Sequence, residues 1–119
     1  MPIDALWGTV FADEQNQPHS SGVILLHDGH LHGGDNNYHY EGLYKEDGGK
    51  LHVALTATHF HGGRNHIGGD RDAFTLHASG PADGENMELK GEVDDDPSVK
   101  ITLQMRRVGE LPEPGPSTV

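Results

Sequence analysis

The sequence predicts an all-β fold, a small closed eight-stranded antiparallel barrel with up-and-down connections. Three observations predict it. Apolar and polar residues alternate with period two along most of the chain, the pattern of strands with one buried face. Turn residues separate these runs, and no stretch has helical periodicity. Glycines fall inside the runs, at Gly8, Gly22, Gly33, Gly42 and Gly91, where a closing sheet must bend. Eight strands left open would expose two edges, and closure removes both. A β-sandwich is the alternative architecture.

The elements follow in order. Ala5 to Ala12 alternates, with Trp7, Thr9 and Phe11 on one side and Leu6, Gly8 and Val10 on the other. Ser21 to His27 contains a continuous apolar run and is read as the second strand. Asp28-Gly29 suits a type I′ hairpin turn, whose two central residues need positive φ. His30 to Gly34 returns from it. Tyr38 to Lys45 places Tyr38, Tyr40, Gly42 and Tyr44 on one face, and Glu46-Asp47-Gly48-Gly49 is a turn. Lys50 to Phe60 alternates again, followed by a glycine-rich loop from His61 to Asp70. Ala73 to Ser79, Met87 to Val93 and Val99 to Met105 complete the set, with Asp94-Asp95-Asp96-Pro97 as a turn. The barrel domain spans 1–108. Residues 109–119 carry prolines at 112, 114 and 116 and are expected to be a disordered tail.

Composition restricts function. The chain has 119 residues, 8 basic and 19 acidic side chains, and a net charge of −11 with neutral histidine. That balance argues against binding a phosphate backbone, so nucleic acid is not an expected partner. No apolar run reaches the ~18 residues that span a bilayer. No secretory signal is visible, so the cytoplasm is the default location. There are no cysteines, hence no disulfide, thiolate metal cage or cysteine nucleophile. The 10 histidines would cancel most of the negative charge if all were protonated, and unperturbed imidazole titrates near pH ~6.5. Leu, Ile, Val and Phe make up only about 21% of the chain, so each must be well placed for a core to form.

Several residues are candidates for chemistry. His30-Leu31-His32-Gly33-Gly34-Asp35-Asn36 recurs as His59-Phe60-His61-Gly62-Gly63-Arg64-Asn65. Histidines two apart on a strand share a face. In a meander the third and fifth strands run the same way. His30, His32, His59 and His61 are therefore candidates for a Zn or Ni site at one rim, with Asp35, His66 and Asp70 nearby. Ser20 and Ser21 lie beside His19, but no nucleophile-elbow context accompanies them. No carboxylate pair stands out, and no strand–glycine–helix unit cradles phosphate. The expectation is a non-enzymatic protein.

Small barrels are either filled or hold one small ligand. One strand face offers Trp7, Phe11, Val23, Leu25, Tyr38, Tyr40, Tyr44, Phe74, Leu76, Met87 and Met105 as its lining. Of these, Trp7, Phe11, Tyr40, Tyr44, Phe74 and Leu76 are the candidates for a cavity around an apolar, lipid-like ligand. The acidic turns at Glu46-Asp47 and Asp94-Asp95-Asp96 are candidates for docking a basic protein.

The sequence also resembles the GrlR-like family, whose namesake is a negative regulator of type III secretion genes in enteric pathogens. The resemblance rests on Leu6-Trp7, Asp28-Gly29 followed by Gly33-Gly34-Asp35, Tyr40-x-Gly42-x-Tyr44, and Gly69-Asp70 before Phe74-Thr75-Leu76. It covers Leu6 to Val108. It implies a lipocalin-like barrel with a hydrophobic interior, a homodimer, and a regulatory role through an acidic surface loop. The matching turn here is Glu46-Asp47-Gly48-Gly49, acidic only in its first half. The resemblance thus implies that Glu46 and Asp47 engage a protein partner.

Overall fold

The computed structural model describes residues 3–64, 67 and 71–111. Eight strands form one sheet in sequence order: β1 (Ala5–Ala12), β2 (Pro18–His27), β3 (His30–Gly34), β4 (Tyr38–Asp47), β5 (Lys50–His59), β6 (Ala73–Pro81), β7 (Asn86–Val93) and β8 (Asp96–Gly109). Every neighbouring pair is antiparallel, and β1 also pairs with β8, from Leu6 opposite Gly109 to Ala12 opposite Thr102. The sheet is therefore a closed up-and-down barrel of lipocalin-like form and not a sandwich. Among the described residues, no helix is long and apolar enough to cross a membrane.

Local chemistry accounts for the hairpins. Asp28 and Gly29 have φ of 51° and 80°, as the β2–β3 turn requires. Gly48 and Gly49 (φ 60° and 79°) make the β4–β5 turn in the same way. Inside the strands, Gly42 has a different task. A Cβ there would run into the Ala54 carbonyl of β5, so only glycine permits the close approach.

The strands extend beyond the alternating runs. β2 begins at Pro18 rather than Ser21, and β8 runs from Asp96 through Gly109. The last strand thus reaches one residue past the expected domain boundary. Residues 112–119, most of the expected tail, lie outside the described residues.

The inward face carries the core. Trp7, Phe11, Leu26, Leu31, Leu51, Leu55, Leu76, Leu89 and Leu103 are all fully buried. Burial of each large side chain contributes roughly 1.5–3 kcal/mol. One face assignment is corrected. On β2, Ile24 and Leu26 point inward, while Val23 is 46% exposed and Leu25 is half-buried on the outside. A continuous apolar run has no phase of its own. The register, with Ile24 opposite Trp7, supplies the phase.

Polar groups close the two ends of the barrel. At one end the Trp7 Nε1 donates to the Ile3 carbonyl at 2.9 Å. Arg107 lies over the same indole and donates to the Glu110 carboxylate at 2.8 and 3.0 Å. At the other end Asp35 accepts from the backbone N–H of Asn37 and Tyr38 and from the Tyr40 hydroxyl.

Candidate functional site

The interior candidates are brought together as a packed core. Trp7, Phe11, Tyr40, Phe74 and Leu76 are each at most 4% exposed. The Phe11 and Tyr40 rings lie 5.1 Å apart, and Phe74 packs on Tyr38 at 6.2 Å. Tyr44 differs: it is half-buried towards the end of the barrel that holds Ile3, with its hydroxyl donating to Asp4. Burial, and then the carboxylate acceptor, push the Tyr44 phenol up to about 12. The same causes hold the Tyr40 phenol well above the usual tyrosine range. Both hydroxyls are thus neutral donors at any ordinary pH. Thr9, buried beside Gly22, keeps a hydroxyl with no partner among the described residues.

The two histidine pairs do not converge. His30 and His32 lie on the outer face of β3, opposite Leu43 and Glu41 of β4, with their rings stacked at 6.4 Å. His59 lies at the far end of β5, opposite Tyr38, and its ring packs edge-on against Tyr38 at 5.4 Å. Its Nε2 is 2.7 Å from the Gly62 carbonyl. His61 sits in the following loop beside Phe60. β4 intervenes between the pairs, and its register offsets them along the barrel. Asp35 is engaged by Tyr40 and two backbone amides, as described. His66 and Asp70 lie outside the described residues. Among the described residues, no group of three or more potential ligands could hold a metal ion.

Neighbouring side chains of β2 point in opposite directions. Ser20 is directed inward and hydrogen-bonds the Tyr40 hydroxyl. His19 is exposed and binds Asp13, with Nε2 3.0 Å from Oδ2. That contact and two backbone amides hold the Asp13 carboxyl below the usual carboxylate range. A serine–histidine pair is not assembled at this place.

Glu46 and Asp47 end β4 and are exposed at the tip of its hairpin with β5. The basic side chains nearest other carboxylates are already committed: Arg64 to Asp72, Arg71 to Asp95, Lys100 to Glu92 and Arg107 to Glu110. Neither Glu46 nor Asp47 has an ion-pair partner among the described residues. In the other acidic turn, Asp95 and Asp96 are both bound by Arg71.

Two outer clefts were not legible in the sequence. One, of about 500 Å³, crosses the outer wall from β3 to β6 and is lined by His30, Leu43, Lys45, His52, Ala54 and His77. Leu43 is 58% exposed within it. Its sequence signal is an apolar residue in the polar phase of β4, between the inward Gly42 and Tyr44. The other cleft, of about 750 Å³, lies over Gly8 and is flanked by Val10, Val23 and Val108. Val23 and Val108 are exposed there, and Leu6 and Leu25 are half-buried on the same outer face. Compared with known proteins, the chain matches no family model and none of the curated proteins.

Proposed function

We propose that the chain is a non-enzymatic regulatory binding module of the GrlR-like kind, which recruits a basic protein through Glu46 and Asp47. The observation that carries this reading is the pair of exposed carboxylates, with no ion-pair partner among the described residues, at the tip of a two-glycine turn. Unpaired surface charge of one sign speeds encounter with an opposite partner and selects against wrong ones. The packed interior favours the surface over the lumen as the place of binding. In this reading the protein works in the cytoplasm as a homodimer. The outer apolar stripe of Leu6, Val10, Val23, Leu25 and Val108 supports the dimer, since solvent-facing apolar patches mark association sites.

The test is affinity capture with the wild-type chain and with Glu46→Ala, Asp47→Ala. The expected result is a basic protein retained by the first and lost by the second. Equal capture by both would remove the acidic turn from the reading. Light scattering on Val23→Glu, Val108→Glu tests the dimer, and an unchanged mass would move the interface elsewhere.

A further inference from the structure

We propose that the outer cleft of β3–β6 docks a protein segment in which an apolar side chain is flanked by Lys or Arg, and that protonation of His30, His52 and His77 releases it. The inference rests on the reading of Glu46 and Asp47 as a docking turn. It adds the chemistry of the docked segment and the control of its release.

The floor of the cleft is apolar. Leu43 stands opposite His30 on one side and Ala54 on the other, and Ala54 stands opposite His77. An apolar side chain of a partner would cover Leu43 and Ala54, the usual anchor of a protein contact. Asp47 shares the outer face of β4 with Leu43 and Lys45 by the period of two. The acidic turn is therefore one end of the same surface.

The charges around this floor decide the partner. His30 is faced from β2 and its turn by His27 and Asp28, and from β4 by Glu41 and Lys45 beside Leu43. His52 is faced by Lys45 directly and by Asp47 diagonally on β4, and by His77 diagonally on β6. His77 is faced from β7 by Glu92 and Lys90, and its Nε2 lies 3.6 Å from Asp94. Glu92 is already bound by Lys100, and Lys90 lies 3.8 Å from Glu88. This leaves Asp28, Glu41, Asp47 and Asp94 against Lys45 and Lys50, which lies two residues before His52 on β5 and opposite Asp47. The neutral-pH surface is an apolar strip framed by an excess of two negative charges, which suits a basic segment. Three protons on three imidazoles more than cancel that excess. Imidazole is the side chain that changes charge between pH ~5 and ~8.

Amide NMR of the labelled full chain tests the proposal with synthetic peptides. The probe is Lys-Arg-Leu-Leu-Arg-Lys, with Lys-Arg-Ser-Ser-Arg-Lys and Glu-Asp-Leu-Leu-Asp-Glu as controls. At pH ~7.5 the probe is expected to shift the amides of Leu43, His52 and Ala54. Leu43→Glu, an exposed change that leaves the core intact, is expected to weaken it at least ~5-fold. Acidification to pH ~5.5 is expected to weaken it at least ~5-fold in the wild type. The loss should be much smaller in the triple variant His30→Gln, His52→Gln, His77→Gln.

The failures separate. If both basic peptides bind equally and shift only the Glu46-Asp47 turn, the cleft is overturned and the acidic turn stands. If neither basic peptide binds, both readings fall. Stronger binding of the acidic peptide overturns the assigned charge. An equal acid loss in the triple variant overturns release by these histidines.

Discussion

The Arg107 guanidinium lies 5.9 Å from the centre of the Trp7 ring, over the indole whose N–H is held by the Ile3 carbonyl. A residue that reads as a surface charge on β8 is thus part of the cover over one end of the core. Its head group is fixed by Glu110. Replacement of Arg107 by Ala is expected to destabilise the barrel and lower its denaturant midpoint through the lost cation–π contact and packing. Trp7 emission should shift to longer wavelength as water reaches the ring. Denaturant titration followed by tryptophan fluorescence checks both, and an unchanged emission maximum would refute the cover.

High pH should weaken the fold through Tyr40 and Tyr44. Both phenols are raised in the folded state, first by burial and then by their carboxylate acceptors. Between pH ~10 and ~12 the folded protein keeps protons that the unfolded chain has released. The stabilisation is therefore complete below pH ~10 and is lost as the pH rises through the raised values. Urea midpoints between pH ~8 and ~11 should fall in the wild type and fall less steeply in Tyr40→Phe, Tyr44→Phe. Equal slopes would contradict this assignment.

Two glycine-to-alanine changes should differ sharply. At Gly42 the new methyl would collide with the Ala54 backbone, which cannot yield without breaking the β4–β5 ladder. The expected cost is about 1–3 kcal/mol, as for overpacking. At Gly8 the methyl would lie 3.2 Å from Cγ1 of exposed Val108, a side chain free to turn away. That change should stay within about 0.5 kcal/mol. Thermal melts of the two variants decide it, and similar losses would sink the distinction.

The buried apolar side chains form one core cluster, and the barrel is expected to carry no apolar guest. Native mass spectrometry of purified protein is expected to show the 12.9 kDa chain, or its multiple, without added mass. Leu76→Ala should cost about 2–5 kcal/mol, because Leu76 is fully buried. A copurified lipid-like molecule would instead favour a ligand-binding cavity lined by these side chains.

The strands were legible because alternation is the sequence trace of a half-buried sheet. Asp28-Gly29 marked its hairpin for a steric reason that acts within two residues. Burial of Trp7, Phe11, Tyr40, Phe74 and Leu76 follows from the same alternation. Other features depend on register between strands, which no local run encodes. The run from Val23 to Leu26 gives no phase, and pairing with β1 sets it. The separation of His30 and His32 from His59 depends on how far β4 offsets its two neighbours. The cleft around Leu43 joins residues from four strands, so only their alignment creates it.

The seam between β1 and β8 joins the first and last strands of the ring. A nascent chain on the ribosome therefore makes seven strands with nothing to complete the circle. Until β8 is released, β1 and β7 are raw edges, open to pairing with another chain. Pairing segments so far apart in sequence also makes closure a slow step. Premature termination before Asp96 would leave a sticky, open-edged sheet, and its hazard would be aggregation more than simple loss of activity.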